Sequence, residues 1–241
     1  MNIKKYIYAL IKRGLIFCRL LPDVKAQLYR KSYSQDGEDV ILHTLIMETR
    51  PNYKGFYVDI GAYHPMRFSN TQMFYEEGWG GVNIDANPNS MIEFNKFRQR
   101  DINITAGVSD RPEELDYYVF EESALNCFDK NRAEELIEIG WKLKEIIKVK
   151  CLSINDILER NFDKKHIDFI TIDVEGMELQ ILQSLDFQKY APDFFLIEEN
   201  DFTNKDFMDY KVTPIYVLLR QHNYIVVAKT MRTVIYKKVN I

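Results

Sequence analysis

The chain has 241 residues, 46% hydrophobic and 28% charged, with a formal net charge of −4. That length fits about one large domain, or one with an appendage, and the balance excludes a disordered or collagen-like chain. The negative charge excludes a generally basic, nucleic-acid-coating protein, no run reaches the roughly 18 apolar residues of a membrane span, and Cys18, Cys127 and Cys151 form neither a disulfide framework nor a zinc site, as expected of a reducing cytoplasm.

Charge is unevenly spread. Residues 1–30 carry +6, leaving −10 on residues 31–241. Ile3, Ile7, Leu10, Gly14, Phe17 and Leu21 recur at three- and four-residue steps, and Ile11, Leu15 and Cys18 widen the stripe. This predicts an amphipathic helix with its basic residues mostly off the stripe, ended by Pro22. Lys12 and Arg13 interrupt the apolar region, so the segment does not read as a signal peptide. Two roles are open: packing on the main domain or a second copy, or lying on an anionic membrane surface. Residues 1–31 are therefore read as a basic helical extension and 32–241 as one domain, in a cytoplasmic protein that is either free or peripheral to the inner face of the membrane.

Along 32–50 a polar start, with Ser34 or Asp36 as cap, turns apolar and predicts a helix. Phe56–Ile60 reads as a buried strand, residues 69–78 as a helix stopping at Gly78, and 81–85 as a strand ending in Asp85. Asn87 and Pro88 open a helix to about Arg100, and Ile102–Val108 reads as one strand. Leu115–Phe120 is another strand, and 121–145 an insertion that turns helical. Strand Ile146–Leu152 and a Ser153-capped helix follow. Then come strand 166–173, helix 178–185, strand 194–197, a partly helical 205–221, and an antiparallel pair at 224–228 and 233–237. The alternation predicts a mostly parallel sheet covered on both faces, an α/β Rossmann-like fold.

Three of these strands end in an acid: Asp59, Asp85 and Asp173. Ligands of open α/β sheets bind outside the carboxyl ends of the strands. An acid ending the second strand can accept two hydrogen bonds from a ribose diol, so Asp85 predicts an adenosine-bearing cofactor. The loop after the first strand reads Asp59-Ile60-Gly61-Ala62-Tyr63-His64-Pro65, one glycine of the three in a pyrophosphate cradle. S-adenosylmethionine carries no phosphate and suits an acidic rim.

The motifs Ser34-Gln35-Asp36-Gly37-Glu38-Asp39, Val58-Asp59-Ile60-Gly61-Ala62, Ser69-Asn70-Thr71, Gly78-Trp79-Gly80-Gly81-Val82-Asn83-Ile84-Asp85-Ala86-Asn87-Pro88 and Ile172-Asp173-Val174-Glu175-Gly176 occur in order. Together they resemble the FkbM-type S-adenosylmethionine-dependent methyltransferases, over roughly residues 32–237. The resemblance implies a seven-stranded class I methyltransferase sheet with its last strand antiparallel. It also implies O-methyl transfer, often to sugars of bacterial surface polysaccharides or to natural products. Related sequences often carry two histidines before the proline; here Tyr63 takes the first place and His64 remains.

On this reading Asp59, Gly61 and Ala62 line the methionine end of the cofactor, and Asn70 and Thr71 hold its carboxylate at a helix start. Asp85 takes the ribose, with Ala86 beside it; Ala106, Gly107, Val108 and Ser109 border adenine; Gln35 and Glu38 close over the cofactor. Asp173, which also borders the cofactor, Glu175 and His64 are candidate bases for an alcohol acceptor. An alternative uses a divalent metal such as magnesium, on Asp173, Glu199 and Asn200. Trp141, Phe128 and Asn126 are candidate sugar contacts. His166 and His222 read as structural or surface residues. The expected partner is a small-molecule or carbohydrate acceptor, not nucleic acid. Competing functions are methyl transfer to a non-sugar small molecule, an amide or a phosphoryl group, and a non-catalytic adenosine-ligand module assisting a glycosyltransferase.

Overall fold

Short apolar runs become parallel strands sharing one carboxyl edge; Asp85 and Glu198 close two of them, while Asp59 lies inside its strand and Asp173 just past its own. In the computed structural model, residues 30–162, 166–199, 211 and 213–239 are described; the extension 1–29, Asn200 and 201–210 lie outside them. The chain divides into two compact units, Met1–Ser32 and Tyr33–Ile241, and the second holds both sheets of the protein's described residues.

The main sheet has seven strands: β1 (Phe56–Ile60), β2 (Gly80–Asp85), β3 (Ile102–Thr105), β7 (Phe169–Ile172), β8 (Phe194–Glu198), β9 (Tyr224–Lys229) and β10 (Thr233–Lys238). Their spatial order is β3-β2-β1-β7-β8-β10-β9. β1 pairs in parallel with β2 and β7, β7 with β8, and β2 with β3, while β10 runs antiparallel to both β8 and β9. The last strand is thus the antiparallel one and lies inside the sheet, next to its edge. Helices α1 (Glu38–Met47), α2 (Gln72–Glu76), α3 (Ser90–Phe97), α5 (Ile154–Asn161), α6 (Glu178–Ser184) and α7 (Pro214–Gln221) connect or cover it. Ser153 and Thr213 cap α5 and α7 through their side chains, satisfying helix amides that have no intrahelical partner.

Two apolar clusters lie against the sheet, one built around Val58, Ile60, Ile170 and Phe195, the other around Tyr57, Phe74, Trp79 and Phe169. Each fully buried large side chain contributes roughly 1.5–3 kcal/mol. The helix start at 32–39 differs from the expected cap. Gly37 occupies the cap position at φ 94°. The Ser34 hydroxyl accepts from the Gly37 amide and donates to Asp39, so it organises the turn one step earlier.

The strand expected over Ile102–Val108 breaks at Ala106, whose amide donates to the Asp85 carbonyl at 3.0 Å. Beyond that point the chain enters a second sheet of β4 (Gly107–Ser109), β5 (Glu113–Phe120) and β6 (Leu143–Ser153), in the order β4-β6-β5. A 3-10 turn at Ser123–Leu125 and helix α4 (Lys130–Glu138) complete it. The insertion therefore starts at Gly107, not at residue 121, and carries its own small core of Phe120, Cys127, Ala133 and Leu136.

Beneath the carboxyl edge lies the fully buried Arg98. Its guanidinium donates to Thr71 Oγ1 (2.6 Å), Gln72 Oε1 (2.6 Å), the Pro65 carbonyl (3.1 Å), Tyr57 Oη (3.1 Å) and Asp101 Oδ2 (3.1 Å). Asp101 also accepts from the Tyr57 hydroxyl, the Gly81 amide and Asn83. Replacing Arg98 by leucine strands the Asp101 charge in the interior and is expected to cost about 3–5 kcal/mol, read as a lower urea midpoint; Arg98→Leu unfolding at the wild-type midpoint would show that the buried ion pair does not hold the floor together.

Candidate active site

The carboxyl edge opens into a cavity of about 260 Å³, just below the roughly 300–1,000 Å³ of common small-molecule clefts. β1, β2 and β7 supply its floor, and the second sheet supplies one wall. Gly61, at φ 80°, is required twice over: a Cβ there would fall 1.7 Å from the Asp173 carbonyl oxygen. The end of β1 is thereby pressed against the end of β7, and the backbone of 60–61 is bared to the cavity.

Asp85 closes β2 and lines the cavity. Its two oxygens accept from the Tyr63 and Asn87 amides, each at 2.7 Å. Burial raises its pKa despite those donors. With one amide on each oxygen, the carboxylate is fixed in orientation and retains lone pairs for a diol. Ala86, Gly107 and Val108 lie beside it, and Tyr117 and Phe128 pack with their rings 4.7 Å apart over that slot. Phe128 sits close enough to Gly107 that a Cβ there would meet the ring at 2.6 Å.

The far side of the cavity is acidic. Oxygens of Asp173, Glu175 and Glu198 all lie within 4.8 Å of one another. Burial, reinforced by Asp173, pushes Glu175 up to about 7. Asp173 and Glu198 are raised for the same first reason, desolvation. Glu175 adopts φ 55° and is followed by Gly176 at φ 121°. The turn is held by Glu178, which accepts from the Val174 and Gly176 amides. Arg132, reaching in from α4, stands 3.5 Å from Glu175.

The expected site residues divide into those that face the cavity and those beneath it. Gln35, Gly61, Asp85, Ala86, Gly107, Val108, Asp173 and Glu175 face it, as do Asn126 and Phe128. Asp59, Ala62, Asn70, Thr71, Glu38 and His64 are not among the lining residues. Asp59 accepts from the Thr71 hydroxyl at 2.7 Å, and Asn70 donates to Thr171, so these side chains are bonded to one another and to β7 beneath the cavity. Glu38 accepts from the Asp36 amide and from Thr230, tying the N-terminal loop to the β9–β10 turn. His64 Nδ1 accepts from the Met66 and Arg67 amides, which gives that nitrogen a turn-forming role. Of the proposed metal set, Asn200 lies outside the described residues; Glu199 Oε1 accepts from the buried Tyr236 hydroxyl at 2.6 Å, and Glu198, one residue earlier, joins Asp173 and Glu175. Trp141 is exposed and away from the cavity. His166 pairs with Asp193 at the opposite edge of the sheet, where Arg50 already bridges Asp193 and Asp168, and His222 stacks on Phe187 at 3.8 Å.

Sequence reasoning missed Arg98, Arg132 and Glu198. The two arginines act through partners distant in sequence. Glu198 stands in a run, Phe194–Glu199, that is apolar up to Ile197 and buried throughout, so no alternation shows which of its two acids faces the cavity.

A parallel sheet in this strand order, with a cavity at its carboxyl edge walled by an acid-ending β2 and an acidic β7 turn, defines a class I methyltransferase architecture. The model of the methyltransferase FkbM domain matches residues 59–226. The chain belongs to that family, one of S-adenosylmethionine-dependent methyltransferases. Among solved structures it is similar to a methyltransferase FkbM from Methylobacillus flagellatus KT (14% identity, TM-score 0.47, covering 76% of this chain and 43% of that one). It is also similar to a precorrin-6y C5,15-methyltransferase from Geobacter metallireducens GS-15 (13%, 0.44, 84% and 87%) and to the N-terminal domain of human METTL16 in complex with SAH (13%, 0.46, 90% and 72%). The chain thus spans under half of the FkbM chain it resembles. No curated protein sequence matches it.

The lining fits S-adenosylmethionine by the chemistry of its donors and acceptors. Asp85 offers acceptors to a diol, the Ala86–Val108 slot is apolar, and the acidic side suits a cationic end. A pyrophosphate would face carboxylates instead of a run of free amides.

Asp59 offers a test of the floor. Burial lifts its pKa from 3.8 to about 7, and the Arg98 charge is already matched by Asp101. Between those two values the unfolded chain has released a proton that the folded chain keeps, so rising pH favours unfolding. Asp59→Asn is therefore expected to gain stability relative to wild type as pH rises from 3.8 to about 7, measured as the difference in Tm across a pH series. A constant difference would mean that Asp59 is ionised in the fold.

Proposed function

We propose that the protein is an S-adenosylmethionine-dependent O-methyltransferase acting on a sugar or nucleotide-sugar of a bacterial surface polysaccharide pathway. The observation that carries this reading is Asp85: a buried carboxylate, held by one backbone amide on each oxygen, facing a cavity without a phosphate cradle in an FkbM-family fold. Bound cofactor supplies an electrophilic methyl group on a sulfonium that leaves as a neutral thioether. The protein's part is positioning, which brings an acceptor hydroxyl in line with that methyl carbon. The hydroxyl proton departs toward Asp173 or Glu175 as the new carbon–oxygen bond forms. Glu175, raised to about 7, suits proton transfer near neutrality.

The acceptor side is formed by the insertion. Asn126 Oδ1 is fixed by the Phe120 amide at 2.8 Å, and its buried Nδ2 has no hydrogen-bond partner among the described residues. An amide donor left so at a cavity wall supports a hydroxyl-rich acceptor.

Titration calorimetry of the full chain is expected to show micromolar binding of S-adenosylmethionine and loss of at least about tenfold in affinity for Asp85→Ala, which forfeits charge-assisted bonds worth about 1.5–3 kcal/mol. Asp173→Ala is expected to abolish transfer to nucleotide-sugar acceptors while retaining measurable cofactor binding. Preference for NADH would overturn the cofactor assignment, and binding without turnover on any acceptor would favour an adenosine-ligand module.

The apolar stripe over residues 1–21, with basic residues mostly off it, supports a contact with an anionic membrane or with a second copy. No helix among the described residues is long and apolar enough to cross a membrane. Salt-sensitive co-sedimentation with anionic vesicles, lost on deleting residues 1–21, is expected for the membrane contact; a shift from dimer to monomer on the same deletion, without vesicle binding, identifies the other.

A further inference from the structure

We propose that Asp173, Glu175 and Glu198 form a binding site for one hard divalent cation, of the magnesium or calcium kind, at the acidic side of the cavity. Three atoms within 4.8 Å of one another share a point no more than about 2.8 Å from each, close to the 2.3–2.6 Å of calcium–oxygen bonds and within a small inward movement of the 2.0–2.1 Å of magnesium. The ligands come from the end of β7, the turn after it and the end of β8, so three separate backbone positions converge on that point.

Glu198 indicates that something is to be held there. Its side chain is 8% exposed, it lines the cavity, and its Oε2 has no hydrogen-bond donor among the described residues. Leaving a buried carboxylate oxygen without a donor is costly. A proton shared with Asp173 would serve that pair but would bring no positive charge. Among the described residues, Arg132 stands 3.5 Å from Glu175, and Arg232, which lines the cavity and lowers the Asp173 pKa, is bonded to Asp36 at 2.9 Å; neither donates to Glu198 Oε2. An ammonium ion fits the same triangle but returns one charge against three carboxylates; a divalent ion returns two and leaves coordination positions open toward the cavity.

This site deepens the proposed function and rests on it for its chemical use. A bound ion would make a hydroxyl coordinated to it more acidic, and the proton would pass to the carboxylate oxygen of Asp173 or Glu175 that the ion leaves free. The binding itself is independent of that reading.

Metal-stripped full-length protein, without cofactor, would be titrated calorimetrically with magnesium chloride and calcium chloride, and with manganese followed by electron paramagnetic resonance. One ion per chain is expected. Affinity should fall more than about tenfold in Glu198→Gln and in Glu175→Gln and stay unchanged in Glu199→Gln, with thermal melts confirming that each variant folds. Two glutamine variants keep the test alive if one fails to fold. No binding by any of the three ions, or binding lost in Glu199→Gln and kept in Glu198→Gln, would overturn the proposal. S-adenosylmethionine titrated in the presence of EDTA separates the two readings: metal binding without cofactor binding would remove the methyltransferase reading and leave the cation site, and cofactor binding without metal binding the reverse.

Discussion

The Arg98 guanidinium brings a full charge into the interior, and the residues that satisfy it decide where the entrance of the cavity lies. One side of the ion meets Tyr57 on β1 and Asp101 in the turn before β3; the other meets Pro65, Thr71 and Gln72, which belong to the loop and helix after β1. The loop from Gly61 to Asn70 has neither a glycine-rich cradle nor a helix of its own. Its position is set by this ion and by the Tyr63 amide on Asp85. The cavity-facing carboxylate and the buried cation are therefore two ends of one constraint, since the loop that orients Asp85 is anchored by Arg98.

Backbone conformation adds a second constraint at the same place. Tyr63, Phe68 and Glu175 all adopt positive φ and all line the cavity. Such conformations cost about 1–3 kcal/mol each for residues with side chains. In Tyr63 the cost coincides with an amide aimed at Asp85, and in Glu175 with a carboxylate aimed at Asp173 and Glu198. Tyr63 and Phe68 stack at 6.2 Å, with Arg67 over both rings and also 3.5 Å from Glu122 on the insertion. The strained loop and the cavity wall are thus braced against each other.

Much of the main sheet was legible because its strands are short apolar runs between turn residues, and because Asp85 and Asp173 sit where parallel strands end. The family motifs added the antiparallel last strand. Less legible was Ile102–Val108, an unbroken β-like run that the structure divides between two sheets. The break is made by the Asp85 carbonyl bonding the Ala106 amide and by Phe128 packing over Gly107, both distant in sequence. His64 looked reactive by type, yet its Nδ1 is taken by two amides of its own turn. Glu198 and Glu199 differ by one step, and a one-residue step on a strand exchanges the two faces; with both sides of β8 covered, hydropathy does not distinguish them.

The second sheet has a consequence for how such an enzyme can change. It leaves the main framework at Gly107 and runs to Ser153, and Ser109 and Ser153 are paired neighbours on β4 and β6. Between them the chain builds its own core and presents Asn126, Phe128 and Arg132 to the cavity. The excursion thus begins and ends at nearly one point in space. Residues 110–152 can be exchanged for another segment with the same closing distance while the main sheet, the Arg98 anchor and Asp85 keep their places. An exchange of this stretch would therefore change the wall over Gly107, through Tyr117 and Phe128, together with Asn126 and Arg132.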